Sequence, residues 1–556
     1  MADIGIDLGT THSLIAVCEN GEAKLIQNVH GDYLTPSIVS VDSNGNFLIG
    51  ASARERLISH ASETVHAFKR MAGTSKIWKL GKQTLRFEEL SCLILKSLKA
   101  DAENALNQQI DQAVISVPAY FNDTQRVATQ NAAKLAGFTE VKLINEPTAA
   151  SLVYGLKDQS DDRKYLVLDL GGGTFDVSIL EYFNGILEVR ASAGDNYLGG
   201  EDFTQVIADW ITKQCNELKV KSPTPSRLYQ MAESAKRSLS KADNTSIQID
   251  EDTTLKLLSS MFESLATPLI NRIRAPIVKA IQDAEIEPEE LDDIVFIGGS
   301  TRMPIFHGFV TRLFKRFPRS SENPDHVVAL GAAIQAGLLA RSEGLEEVVM
   351  TDVMPYSMGI AVHNESELEN PYFEPIIERN QTVPVSRVNR FYPVEKKQIE
   401  IRVDVFQGES RYTRNNINLG SAELHLSKNA EQRFIDVRFT YDTNGILEVL
   451  VEAGHGRTQQ LIFEQTPGKL TPEEIQAALK KLEKIKVHPR DDEANRAILE
   501  KAERLYEQSI GERRDQVAEI IDYFNQLLAT QDPKTIEQNR DKVKDALNAM
   551  EQEIWF

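Results

Sequence analysis

Two short segments of one design, lying far apart, limit what this chain can fold into: Asp7-Leu8-Gly9-Thr10-Thr11 and Asp169-Leu170-Gly171-Gly172-Gly173-Thr174-Phe175-Asp176. Each follows an apolar run, residues 4–6 and 165–168, that reads as a strand ending at its aspartate. Glycine lets the backbone turn freely and bares amide N–H groups that a side chain would shield. Thr10, Thr11 and Thr174 add hydroxyl donors, and the strand-end carboxylates suit a hydrated Mg²⁺. One such loop is weak evidence, but a repeated one predicts two similar lobes clamping one nucleotide, ATP, between them.

A third element completes the expected site, Ile297-Gly298-Gly299-Ser300-Thr301-Arg302-Met303-Pro304, where a strand running into Gly-Gly brings backbone close to a flat ligand. Arg302 can stack on an adenine face. A helix carrying Glu233, Lys236, Arg237 and Ser240 at i, i+3, i+4 and i+7 presents one polar face, suited to a base and ribose or simply to solvent. No Gly-x-x-x-x-Gly-Lys-Ser/Thr loop and no Gly-x-Gly-x-x-Gly in a dinucleotide context is present, so phosphate chemistry falls to the paired loops. For hydrolysis, Lys69, Glu146 and the loop carboxylates are the candidates.

Composition narrows the partners. The formal charge is 62 − 82 = −20, with acids and bases interspersed, which argues against nucleic acid or an anionic membrane. Cys18, Cys92 and Cys215 are too scattered for a disulfide framework or metal cluster. With no membrane-length apolar run and no signal-like start, a reducing cytoplasm is the expected location.

The chain's texture changes along its length. Residues 1–343 alternate strand-like and helix-like stretches, the α/β pattern. After a short connector, residues 354–466 read as short alternating strands, with Ile399, Ile401, Val403 and Val405 on one face. Asp442-Thr443-Asn444-Gly445 between two such runs predicts a hairpin. From Thr471-Pro472-Glu473-Glu474, an N-cap followed by Pro and acids, the rest reads as helical, broken near Val487-His488-Pro489 and Gln531-Asp532-Pro533.

The three nucleotide motifs resemble those of the actin/hexokinase/heat-shock ATPase superfamily. Val117-Pro118-Ala119-Tyr120-Phe121-Asn122-Asp123-Thr124-Gln125-Arg126 and Asn145-Glu146-Pro147-Thr148-Ala149-Ala150 resemble the DnaK-like, seventy-kilodalton heat-shock chaperones in particular. Further similarities are Leu198-Gly199-Gly200-Glu201-Asp202-Phe203, Asn323-Pro324-Asp325 and Phe406-Gln407-Gly408-Glu409, so the resemblance spans nearly the whole chain. It implies a multidomain architecture: an α/β actin-like two-lobed ATPase (1–343), an interdomain linker (344–353), a β-sandwich peptide-binding domain (354–466) and an α-helical lid (467–556).

The resemblance also implies roles. Lys69, Glu146, Asp176 and Thr174 would be catalytic, while Asp7 and Asp169 would hold Mg²⁺ through water, with K⁺ a further candidate cation. ATP or ADP would be bound by Asp7, Gly9, Thr10, Thr11, Asp169, Gly171, Gly172, Gly173, Gly199, Gly200 and Glu201. Glu233, Lys236, Arg237, Ser240, Gly298, Gly299, Ser300, Arg302 and Asp325 would complete that site. Pro118, Arg126 and Asp352 would carry the allosteric signal. Phe391, Ile401 and Val403, with Ile376, Ile377 and Val383 nearby, would take an extended hydrophobic peptide, although ordinary sandwich core explains the same residues. Implied partners are unfolded polypeptide clients and a J-domain co-chaperone.

The chain also departs from the family pattern. Thr351 makes the connector more polar, and Lys142 stands where an arginine commonly meets J-domain partners. The segment between Ser240 and Phe262 is short in the lobe that exchange factors grip, so dependence on a classical nucleotide-exchange factor is not expected. His363 stands near the expected arch over the peptide, beside the acidic stretch 364–373. The residue-level alternatives are a small-molecule kinase or an actin-like filament ATPase, neither of which needs the β module, connector or helical tail.

Overall fold

A computed structural model of the chain describes residues 2–155, 162–183, 186–319, 322–342, 349–364, 367–393, 398–426, 434–442, 447–453, 458–462, 490–509, 512–529 and 533–554. The expected helix start at Thr471-Pro472, the breaks at 487–489 and 531–532, the hairpin turn 443–445 and linker residues 344–348 lie outside the described residues.

Two sheets repeat one plan. In the first, Asp3–Leu8, His12–Glu19 and Glu22–Leu25 form an antiparallel meander, and Gln112–Val117 joins Asp3–Leu8 in parallel, followed by Glu140–Asn145. In the second, Arg163–Leu170, Phe175–Phe183 and Ile186–Asp195 form the meander, and Asp293–Ile297 joins Arg163–Leu170 in parallel. The turn joining the first two strands of each meander is a Gly-Thr loop, so the duplicated motif reflects a duplicated topology. Between the sheets lie two apolar helices, Glu146–Gly155 and Val327–Ala340. Gly5 lets the second of these helices approach closely, since a Cβ there would meet the Ala333 nitrogen at 2.0 Å. Central strands buried on both faces read as unbroken apolar runs, as Tyr165, Leu166, Val167 and Leu168 do.

Linker strand Val349–Val353 extends the second sheet, pairing in parallel with Ile186–Asp195 through Ile186↔Val349, Leu187↔Met350 and Glu188↔Thr351. Its other edge pairs with Thr382–Val383, Asp352 lying opposite Val383. One strand thereby joins the ATPase-like sheet to the β-rich region.

That region is two four-stranded sheets. One runs Glu367–Ile377, Met358–Asn364, Glu400–Gln407, Ile417–His425; the other runs Val385–Phe391, Ile435–Tyr441, Leu447–Ala453, Thr458–Ile462. Alternate residues such as Val405, Val437, Phe439 and Val449 are fully buried between them. The expected shared face of Ile399, Ile401, Val403 and Val405 is graded: Ile399 is 59% exposed before the strand begins, Ile401 is half-buried, and the two valines are core. Ile376, Ile377 and Val403 also lie in the sandwich core, while Phe391 and Ile401 are half-buried at its margin. For those three residues, burial fits the alternative of ordinary sandwich core. A bulge explains the neighbouring isoleucines: Met358 pairs with Ile377 and Gly359 with Pro375, so Ile376 is the extra residue.

Among the described residues three helices follow, Arg490–Gln508, Glu512–Ala529 and Pro533–Ile554, joined by an apolar cluster that includes Leu505, Val517, Phe524 and Leu547. The first of them packs along helix Ala51–Ser59 of the first lobe, with Arg504 donating to Glu55 and Arg56 to Glu500.

Candidate functional site

The two Gly-Thr loops face each other across a cavity of about 440 Å³. Lobe-to-lobe approach here requires glycine: a Cβ on Gly172 would sit 1.8 Å from the Thr11 hydroxyl oxygen. The second loop is braced by the next helix, because the Gly200 amide donates to the Gly171 carbonyl and the Glu201 amide to that of Gly172, both at 2.9 Å. Gly298 turns with φ +81°, and a Cβ there would meet the Leu170 carbonyl oxygen at 2.5 Å, so glycine lets the third element lie beside the second loop.

At the cavity floor Lys69 donates to Glu146 Oε1 at 2.8 Å, both residues being almost wholly buried. Lys69 also lies over the Phe121 ring. Ser116 donates to Asp7 Oδ1 at 3.1 Å, and Asp169 stands opposite Asp176 in the strand register. Burial, reinforced by the Glu146 charge and opposed by Lys69, raises the Asp7 carboxyl to about 7. Asp176 is raised to about 7 in the same way, and Asp169 is pushed well above the usual carboxylate range. Asp176 Oδ2 is buried with no protein hydrogen-bond partner. A cluster of desolvated carboxylates with an orphaned oxygen fits a hydrated cation, whose charge would reverse those shifts.

The far wall suits a nucleoside. Glu233 accepts from Lys236 at 2.6 Å and from Arg237 at 2.8 Å. Burial would raise its carboxyl, but Lys236 and Arg237 outweigh that effect and draw it down to about 2. Ser300 donates to the Gly171 carbonyl, and Arg302 pairs with Asp325 at 2.8 Å across the cavity rim. Among the residues that the sequence singles out, Asp7, Gly9, Thr10, Thr11, Lys69, Glu146, Asp169, Gly171, Gly172 and Thr174 line this one cavity. Gly200, Glu201, Glu233, Lys236, Arg237, Ser240, Gly298, Gly299, Ser300, Arg302 and Asp325 line it too. Gly173, Gly199 and Asp176 stand just behind it, in the second loop and its bracing turn.

Sequence reasoning missed His12, which lines the cavity and is held down to about 4 by burial. It also missed a clasp between the lobes, in which Arg70 donates to Asp202 and to the Gly173 carbonyl. A basic pair at 69–70 was the available signal.

From this floor a chain of contacts leads to the linker. The Tyr120 amide, two residues after Pro118, donates to Asp176 Oδ1 at 2.8 Å. Arg126 donates to the Ala119 and Phe121 carbonyls and to Asn145 Oδ1 at 2.6 Å. Asn145 Nδ2 then donates to Asp352 Oδ2 at 2.6 Å. Burial raises the Asp352 carboxyl, an effect that Arg126 opposes. Nearby, Arg379 of the sandwich holds Asp283 through two bonds of 2.9 and 2.7 Å, and the Asp123 amide donates to Gln407.

Two repeated lobes around a phosphate-ready cavity, joined by one strand to a sandwich and a helical bundle, define an actin-like ATPase domain followed by a β-sandwich and helices. The Hsp70 protein family model matches residues 3–80 and 75–555. The chain is 41% identical over 492 residues to the chaperone protein DnaK of Thermosipho melanesiensis, covering 85% of this chain and 81% of that protein. It is 40% identical to the chaperone protein DnaK of Thermotoga neapolitana over 480 residues, or 83% of this chain and 80% of that one. The chain belongs to the Hsp70 family. It is an ATP-dependent chaperone, an ATPase that binds ATP and ADP. That membership sets aside the kinase and filament alternatives.

Proposed function

We propose that this ATPase couples hydrolysis in the 440 Å³ cavity to capture and release of extended hydrophobic peptide segments at the sandwich margin. Lys69, held by Glu146, orients the γ-phosphate and the attacking water, and Thr174 contacts that phosphate. Asp7 and Asp169 hold Mg²⁺ through its waters, while Asp176 and Glu146 position water and a second cation such as K⁺. When bound, Mg²⁺ neutralises the charge that develops on the phosphate oxygens. Glu233, Lys236, Arg237, Ser240, Ser300 and Arg302 cradle the adenosine.

The supporting division is an ATPase over 1–343, a linker over 344–353, a peptide-binding sandwich over 354–466 and a lid from 467. Phe391 and Ile401 form the accessible part of the peptide pocket, with Val403 behind them. In the ATP-bound form the sandwich and lid dock on the ATPase and exchange peptide quickly; after hydrolysis they separate and hold it. A J-domain protein is the partner class for stimulating hydrolysis, and Lys142 points to private partner choice. The short hairpin of Asn244–Gln248 and Thr254–Leu258 supports exchange without a classical exchange factor. Together with the polar linker, it also favours a specialised bacterial member of the HscC type. No helix among the described residues is long and apolar enough to cross a membrane, and we assign the protein to the cytoplasm.

The observation that carries this reading is the unbroken path from Asp176 through Tyr120, Arg126 and Asn145 to Asp352 in the linker strand. The test is Asp352→Ala. Peptide stimulation of hydrolysis and ATP-triggered peptide release should both be lost, with basal hydrolysis and ADP-state peptide affinity preserved. Intact stimulation in the variant refutes the path.

A further inference from the structure

Beside the nucleotide cavity lies a second one of about 560 Å³, and its walls come from three parts of the chain. Arg54 and Glu55 of helix Ala51–Ser59 stand on one side, and Tyr229, Glu233 and Arg237 of helix Pro225–Leu239 on the other. The outer wall is the helical bundle, through Lys501, Arg504 and Glu551. The two cavities share Thr11, His12, Glu233 and Arg237, so the second is a vestibule outside the adenosine end of the first.

The bundle is fixed over this vestibule by buried charge. Arg504, only 5% exposed, donates to Glu55 at 2.8 Å and to Glu551 at 2.6 Å. Lys501 donates to the other Glu551 oxygen at 2.6 Å, tying the last helix to the first. One turn earlier Glu500, 3% exposed, accepts from Arg56 at 3.2 and 3.3 Å and is further held by Arg496 at 2.8 Å. Such pairs hold only while both partners stay together. Parting them inside the interface strands a desolvated charge, whereas lifting the whole bundle returns every group to water. The contact is therefore either fully made or fully released, as a latch requires.

We infer that the docked bundle is a nucleotide latch: through Arg504 and Glu55 it closes the vestibule and retains ATP until hydrolysis. The inference rests on reading the 440 Å³ cavity as the nucleotide site and on docking being the ATP-bound arrangement. Once the bundle detaches, the vestibule loses its outer wall and ADP leaves unaided. Retention of ATP and release of ADP then follow from one movement of the chain's own helices.

The test loads the full-length chain with ATP radiolabelled at the α-phosphate, with Mg²⁺ present, chases it with unlabelled ATP, and separates the released label into ATP and ADP by chromatography. Parent, Glu55→Ala, Arg504→Ala and the double variant are compared, and ADP release is measured in parallel. Each single variant should release ATP about tenfold faster, as expected for loss of a coupling contact. The double variant should be no faster than the faster single, because both break one contact. ADP release should be alike in all four. Parent-like ATP release in the variants overturns the latch. So does acceleration by Arg504→Ala alone, which would trace the effect to the bundle's own Glu551 pair, since Glu55→Ala leaves the bundle untouched. A parent that retains no nucleotide overturns the reading of the cavity itself.

Discussion

Replacing Lys69 with methionine separates chemistry from binding. Lys69 and Glu146 are 4% and 7% exposed and 2.8 Å apart, and Lys69 lines the cavity beside Thr174. Removing the ammonium deletes one preorganised donor aimed at developing phosphate charge, a loss worth about 10²–10³ in turnover. It also strands the Glu146 carboxylate, and breaking one partner of a buried pair costs roughly 3–5 kcal/mol. The chain should therefore fold with a lowered melting temperature, and the Lys69→Met, Glu146→Gln double variant should recover part of it. Single-turnover hydrolysis at saturating Mg-ATP should fall by about a hundredfold or more, with ATP affinity changed only a few-fold. Undiminished hydrolysis, or loss of ATP binding together with hydrolysis, refutes the role given to Lys69.

Ile401→Phe at the half-buried sandwich margin should weaken binding of an extended peptide and leave basal hydrolysis intact; unchanged peptide affinity measured by fluorescence anisotropy would move the pocket elsewhere. Binding of Mg-ADP should release protons, because Asp7 and Asp176 rest at about 7, raised by burial, and a bound cation favours their ionised forms. The nucleotide-free protein loses stability as these groups ionise. The folded state holds more protons than the unfolded one between the ordinary value of 3.8 and about 7, so these groups lower stability progressively as pH rises through that window. Calorimetry near about pH 6.5 in two buffers of different ionisation enthalpy reads the released protons, and a binding heat independent of buffer contradicts the assignment.

The phosphate loops were legible because few residue types meet their demands. Thr11 and Gly172 come so close that only glycine fits, and carboxylates at strand ends have few uses other than holding charge. The polar face from Glu233 to Ser240 was ambiguous alone, since the same spacing serves a solvated helix; what distinguishes it is the cavity it faces. In the sandwich, the bulge opposite Met358 and Gly359 buries Ile376 and Ile377 together, where a simple period of two would set neighbours on opposite faces. The pairs from Arg56 to Glu500 and from Glu55 to Arg504 left no mark on the sequence, and the Arg70–Asp202 clasp left only the basic pair at 69–70. Any of the many charges on each helix can pair with a residue hundreds of positions away, and only the packing chooses.

The central claim is that one linker strand ties nucleotide state to peptide grip. Its most direct test is the release rate of a fluorescent extended peptide from the ADP-bound full-length chain, before and after excess Mg-ATP. The account predicts a clear acceleration by Mg-ATP, abolished in Asp352→Ala. Peptide that binds but leaves at the same rate with and without ATP would contradict it.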